Sequence, residues 1–288
     1  MTSAPASLAD RIAAPELVVV PGVHDMLAAL TAKKVGFEIV YGSGFWLTAS
    51  CFGMPDAGIV TYTEMLDRMA TLVKVSGLQV IADADTGYGG LLNVHHTVRG
   101  FEAAGVAAIQ IEDQAFPKKC GHTPNRVVVP AEEMIDKIGV AIEARRFSET
   151  LVIARTDARD SEGVSAAIER AQRYREAGAD MLFVEGLRSE DEMRTACAEI
   201  DGPLMANMSN GGYTPMLSKH ALEDVGYACA IYPALTGLAA LHAMEVSLTE
   251  LRDHGRAAPK AIEIGKFSDF VELVGFPEVW EFDKRWAR

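Results

Sequence analysis

The chain has 288 residues, with 27 Lys or Arg against 40 Asp or Glu and a formal net charge of −13. That balance supplies no basic face for nucleic acid or an anionic membrane, and it favours small-molecule chemistry with a cation held among carboxylates. Hydrophobic residues make up 49% and charged residues 23%, an ordinary globular composition that excludes long disorder.

No stretch approaches the ~18 consecutive apolar residues of a transmembrane helix. The N-terminal segment 1–22 has no basic start and carries Asp10 and Glu16 through what should be an apolar core, so a secretory signal is not expected. Cys51, Cys120, Cys197 and Cys229 follow neither zinc-ligand nor disulfide-framework spacing. A reducing, cytoplasmic location is the expectation.

In chain order, apolar runs that read as strands occur at 17–22, within 33–44, at 78–85, within 102–113, at 151–157, within 175–186, at 203–209 and within 223–234. Segments 33–44, 102–113, 175–186 and 223–234 share one grammar: a helix-like stretch, a Gly, then a short apolar strand. A glycine there stops a helix in the left-handed conformation, and near-continuous apolar runs such as MLFV suit parallel strands covered on both faces. Segment 132–146 places Met134, Ile135, Ile138, Ala141 and Ile142 on one helical stripe, and 164–178 repeats the pattern. There is no GxGxxG after the first strand and no GxxxxGK[ST] anywhere, which removes dinucleotide and P-loop readings. Eight β/α units predict a single α/β domain over 1–288, a (β/α)8 barrel, with 256–288 as a C-terminal helical extension. That extension carries Phe267, Phe270, Phe276, Trp280, Phe282 and Trp286, a large aromatic surface that must be covered. It packs either on its own barrel or, the favoured expectation, on a neighbouring subunit.

In such barrels the reacting groups sit at the C-terminal ends of the strands. Those ends read Ser43-Gly44, Asp83 with Asp85, Glu112-Asp113, Arg155 with Asp157, Glu185 and Asn207. Each acid taken singly is equally well a helix cap. Crowded together they repel, and a hard divalent ion bound through carboxylate and water relieves that. The loop between Glu112 and Glu132 is longer than most βα loops, as a lid would be. It contains Lys118-Lys119-Cys120-Gly121-His122, where the flanking cations are expected to lower the thiol pKa; the alternative is a solvated basic loop with an incidental cysteine.

DADTGYGG, IEDQ, KKCGH and ARTDA, in that order, resemble the isocitrate lyase/phosphoenolpyruvate mutase superfamily over about residues 18–255. KKCGH after IEDQ resembles the carbon–carbon lyase branch, which includes the 2-methylisocitrate and 2,3-dimethylmalate lyases. The oxaloacetate decarboxylases and phosphoenolpyruvate mutases lack that cysteine loop. The resemblance implies Mg²⁺, with Mn²⁺ as a substitute, held by Asp85, with Asp83 and Glu112 acting through coordinated water and Asp56 nearby. It implies Ser43, Gly44 and Phe45 as contacts for a 2-oxo-acid carboxylate, and Arg155 as a charge-assisted contact to substrate oxygens. Gly121, Glu185, Asn207 and Asn210 are further substrate-side candidates. Cys120 would be the general acid, tuned by His122 and Lys118, and the base is either Tyr41 or a metal-bound hydroxide.

The implied reaction is a retro-aldol cleavage of the C2–C3 bond in a substituted 2-hydroxy dicarboxylate, giving a 2-oxo acid and a second carboxylate. Where these lyases usually read Asn-x-x-Glu-x-Gly, this chain reads Asn207-Met208-Ser209-Asn210-Gly211-Gly212, and Phe45-Trp46 is bulkier than the small residues common there. Both departures point to a smaller substituted malate. The alternatives are an oxaloacetate hydrolase or decarboxylase, a phosphonomutase, or a barrel that only binds. The resemblance also implies a homotetramer built from dimers that exchange C-terminal segments.

Overall fold

All eight apolar runs form strands in the computed structural model of the chain, which describes residues 6–287. Residues 1–5, the start of the segment read as lacking a secretory signal, and residue 288, the end of the extension, lie outside the described residues. The strands are β1 (Val18–Val23), β2 (Ile39–Gly42), β3 (Gln79–Asp83) and β4 (Ala108–Glu112), then β5 (Leu151–Thr156), β6 (Met181–Val184), β7 (Met205–Asn207) and β8 (Cys229–Tyr232). They pair in parallel in the order β6-β5-β4-β3-β2-β1-β8-β7. A parallel bridge from Leu182 to Leu204 links β6 to β7, with Leu182 N–H donating to the Pro203 carbonyl at 3.0 Å. The expected (β/α)8 barrel is the observed architecture.

Strand alternation sorts the core into two shells. Val18, Val20, Ile39, Tyr41, Ile81, Ile153, Phe183 and Ile231 fill the barrel interior. Val40, Val80, Ile109, Ile111, Val152 and Leu182 face outward onto the helices. The short helix Leu8–Ile12, capped by Ser7, plugs the lower end with a buried Leu8 whose N–H donates to Gln79 Oε1 at 2.7 Å. Burying that leucine contributes about 2 kcal/mol.

The expected stripes are buried. Helix Ala131–Ala144 packs Met134, Ile138 and Ala141 on the barrel. It stops two residues short of the predicted end because Arg145 turns extended, its guanidinium donating to Asp180 at 2.6 Å and to the Thr150 carbonyl at 3.1 Å. Helix Val164–Glu176 ends at Gly178, whose φ of 107° is the left-handed stop read from the sequence.

The last part of the chain is different. Helix Leu235–His254 buries only Gly237, leaving Leu241 55% and Leu248 63% exposed. Two helices follow, Phe267–Leu273 and Phe276–Trp286, separated by Gly275 and with Pro277 in the first turn of the second. Trp280 and Trp286 are 50% and 66% exposed, and the helix before them, Phe267–Leu273, touches the barrel's own helix Met26–Lys34. Among the described residues no helix is long and apolar enough to cross a membrane.

Candidate active site

A cavity of about 290 Å³ opens at the C-terminal ends of the strands. Of the residues singled out from sequence, Tyr41, Ser43, Phe45, Asp56, Asp83, Glu112, Lys118, Cys120, Gly121, His122, Arg155, Glu185, Asn207 and Asn210 line it. Asp85 and Gly44 lie just behind that lining. One wall is carboxylate-rich. The other is apolar, built by Phe45, Trp46, Phe183, Pro233 and Leu238. Trp46 packs so closely on Gly237 that any side chain there would collide with the indole.

The acids do not cap the helices that follow their own strands. Asp83 accepts from the N–H of Gly44 at 3.1 Å, so an acid on β3 holds the start of the helix after β2. It also accepts from the Asp85 N–H at 3.2 Å. Asp85 has a positive φ of 50°, a conformation that a non-glycine residue adopts only where its surroundings demand it. Gln110, pointing inward from β4, accepts a hydrogen bond from the Tyr41 hydroxyl at 3.2 Å. Burial first, and then the Asp83 charge, raise the Tyr41 phenol well above its ordinary value. In this structure the Tyr41 hydroxyl stands as a hydrogen-bond donor to Gln110.

Lys118 differs from expectation. Its Nζ lies 2.5 Å from Asp85 and 2.5 Å from Asp56, inside the carboxylate group. Burial pushes Asp85 up to about 7 against the pull of Lys118. Burial likewise raises Glu112 well above the carboxylate range, opposed by Arg155. Glu112 Oε1 is buried with no hydrogen-bond partner, and Asp83 and Asp85 oxygens converge within 3.0 and 3.3 Å of where a Gly44 side chain would begin. An orphaned carboxylate oxygen beside clustered acids fits a hard divalent ion. Among the described residues no group of three acids, histidines or cysteines is placed to ligate an ion directly, so water would complete the shell.

The cysteine loop folds over the mouth. Its neck is fastened by Gln114, whose side chain accepts from the Lys119 N–H at 3.0 Å and donates to the Lys119 carbonyl at 2.8 Å. Gly121 lies directly on the Arg155 guanidinium, and a Cβ there would collide with it and sit 2.9 Å from Glu185 Cγ. Burial raises the Cys120 thiol above its ordinary value, with the His122 backbone N–H and Arg155 opposing. The expected lowering by flanking lysines is thus overturned: Lys118 is spent on Asp56 and Asp85, and Lys119 reaches towards the Asn125 carbonyl. Cys120 holds its proton, the form a general acid requires.

Arg155 is the cationic centre opposite. It forks onto Asp157 with two bonds of 2.9 Å and lies 3.4 Å from Glu112 and 3.6 Å from Glu185. Asn207 donates to Glu185 Oε2 at 2.8 Å, which fixes its amide nitrogen, and that same nitrogen lies 3.2 Å from His122 Nε2. His122 Nε2 is then an acceptor and Nδ1 carries the proton, buried without a protein partner. Gln110, Asp157 as a support for Arg155, and the apolar wall beyond Phe45 and Trp46 were not assigned roles from sequence. Only Gln110 left a signal, a polar residue at an inward position of an otherwise apolar strand.

A (β/α)8 barrel with clustered acids at its strand ends and a cysteine-bearing lid opposite a buried arginine defines an enzyme of the phosphoenolpyruvate mutase/isocitrate lyase superfamily. The chain belongs to it: the phosphoenolpyruvate phosphomutase family matches residues 8–252. It is 41% identical to the 2,3-dimethylmalate lyase of Eubacterium barkeri over 98% of both chains. It is also 41% identical to the 2-methylisocitrate lyase of Aeropyrum pernix, over 98% of this chain and 90% of that one. Among solved structures, oxaloacetate acetylhydrolase bound to 3,3-difluorooxalacetate superimposes with a TM-score of 0.91 at 34% identity, covering 96% of this chain and 95% of that one. The chain is a carbon–carbon lyase by class.

Proposed function

We propose that this chain is a Mg²⁺-dependent lyase that cleaves the C2–C3 bond of a small substituted 2-hydroxy dicarboxylate, 2,3-dimethylmalate- or 2-methylisocitrate-like, to a 2-oxo acid such as pyruvate and a second carboxylate. The observation that carries it is the seating of a protonated Cys120 loop over Arg155 and the strand-end acids. A bound Mg²⁺, held by Asp85 with Asp83, Glu112 and Asp56 behind it, would neutralise the oxygens of the 2-hydroxy-carboxylate unit, and Mn²⁺ would serve in its place.

The chain's own groups account for the rest. The backbone and hydroxyl at Ser43-Gly44 bind the carboxylate of the nascent 2-oxo acid. The 2-hydroxyl gives its proton to the strand-end carboxylates, where Glu112 Oε1 has no other partner. As the 2-oxo carbonyl forms, the C2–C3 electron pair passes to C3 and its carboxylate, making an enediolate. Arg155 and the Nδ1–H of His122 stabilise those oxygens, and the Cys120 thiol delivers a proton to C3. Asn207, Asn210, Glu185 and Gly121 shape the contact, and Tyr41 donates a hydrogen bond. The apolar wall of Phe45, Trp46 and Leu238 suits an alkyl substituent better than a third carboxylate.

A panel of substituted malates, 2-methylisocitrate and oxaloacetate with Mg²⁺ tests this: 2-oxo acid release from a malate supports it. Likeness to an acetylhydrolase favours oxaloacetate hydrolysis as the second reading, and oxalate with acetate as the sole products would establish that instead. Four unpaired cysteines support a reducing, cytoplasmic setting, and the exposed apolar C-terminal helices support a homotetramer of exchanged dimers.

A further inference from the structure

Arg126 is a buried charged group of the lid, and the chemistry above leaves it without a role. Its side chain is 1% exposed. Nη1 donates to the carbonyls of Gly121 and, at 3.0 Å, Thr123, the two residues that flank His122. Nη2 donates to Asp160 Oδ2 at 2.6 Å, and Nε lies 3.4 Å from Asp157 Oδ1 without hydrogen bonding to it. One nitrogen therefore holds the lid and the other two face the barrel. Asp157 is also the carboxylate that grips Arg155.

A second line of contacts closes the circuit. Asp160 accepts from Arg188 at 2.6 Å, Arg188 lies 5.4 Å over the Tyr213 ring, and Tyr213 meets His122 edge-on at 6.1 Å. His122 is thus enclosed from both sides by groups anchored on Asp160. A buried guanidinium is costly unless fully partnered, and here the partners come half from the lid and half from the loop after β5. Opening the lid must break that set as a unit.

The geometry points to Arg126 as a positioning residue: it clasps the lid onto Asp157 and Asp160 and so fixes Cys120, Gly121 and His122 over Arg155. Its kinetic consequence rests on the lyase reading; its structural consequence does not. Alkylation of the full-length protein by iodoacetamide, each cysteine followed by peptide mass spectrometry, reads lid opening without substrate. Arg126→Ala and Asp160→Asn should each alkylate Cys120 about tenfold faster, with Arg126→Lys between them and the parent and with Cys197 and Cys229 at parental rates. Arg126→Ala should also lower kcat by roughly 10²-fold on the malate that the parent turns over, with KM changing far less and Arg126→Lys recovering part of the loss. A parental Cys120 rate in both Arg126→Ala and Asp160→Asn overturns the clasp. If Cys197 and Cys229 become reactive in Arg126→Ala, that variant has unfolded and Asp160→Asn decides alone. Faster Cys120 alkylation in the variants of a parent that turns over no malate would retain the clasp and sink only the lyase reading.

Discussion

At Cys120, burial and the choice of neighbours decide the chemistry. The thiol is held protonated by its desolvated position, the form that the proposed role of proton donor requires. Cys120→Ser and Cys120→Ala should leave the fold intact and lower kcat by ~10²–10⁴-fold, because a hydroxyl is a weaker acid and a methyl none at all. Steady-state kinetics that retain more than about half of the parental kcat would contradict that role. Asp85 titrates near 7, above its unfolded value of 3.8, with burial the leading cause. Between those two values the folded state binds more protons than the unfolded, so Asp85 lowers stability as pH rises from about 4 to about 7. The same proton competes with a divalent ion, so Mg²⁺ affinity should increase from pH 6 to about pH 8 and level off above that. Calorimetry should show that slope in the parent, no Mg²⁺ binding in Asp85→Ala, and parental binding in Asp10→Ala, whose carboxylate only caps the first helix. Equal Mg²⁺ affinity in Asp85→Ala would place the ion elsewhere.

Among the elements, strands were legible and side-chain directions were not. Apolar runs located all eight strands, four of them behind a helix-stopping glycine, since both signals are local backbone chemistry. Lys118 and Arg126 show the limit. Lys118 precedes Cys120 by two positions, yet its ammonium belongs to Asp56 and Asp85, on two other loops. Arg126 reads as an ordinary loop arginine, and its partners Asp157 and Asp160 follow it by more than thirty residues. Adjacency in sequence thus misjudged the field at the thiol. The lid's own geometry yields a prediction. Gly121→Ala should reduce turnover by about 10²-fold or more with little change in melting temperature, because the added methyl pushes the lid off Arg155 without touching the core. Parental turnover in that variant would mean that the lid does not close as described.

For the whole molecule, one barrel leaves a long apolar face open. Helix Leu235–His254 and the two helices after it expose leucines, phenylalanines and tryptophans that a monomer has no means to cover. Burying three of the large aromatics at ~1.5–3 kcal/mol each supplies ~5–9 kcal/mol of gross drive for association before ordering costs. Light scattering should give a dimer or tetramer for the full chain, and a monomeric or aggregating species when residues 267–288 are deleted. A monodisperse monomer of 31.0 kDa for the full chain would contradict exchange of this segment.

The central claim is that the carbon–carbon bond is broken without water. Turnover of 2,3-dimethylmalate and, separately, of oxaloacetate with Mg²⁺ in H₂¹⁸O, followed by mass spectrometry of the products, tests it most directly. The lyase account predicts pyruvate and propanoate, with no ¹⁸O in the propanoate carboxylate, because its new bond is a C–H bond formed at C3. No turnover of the malate, with oxaloacetate giving acetate and singly ¹⁸O-labelled oxalate, would show hydrolytic cleavage at C2 and contradict the account.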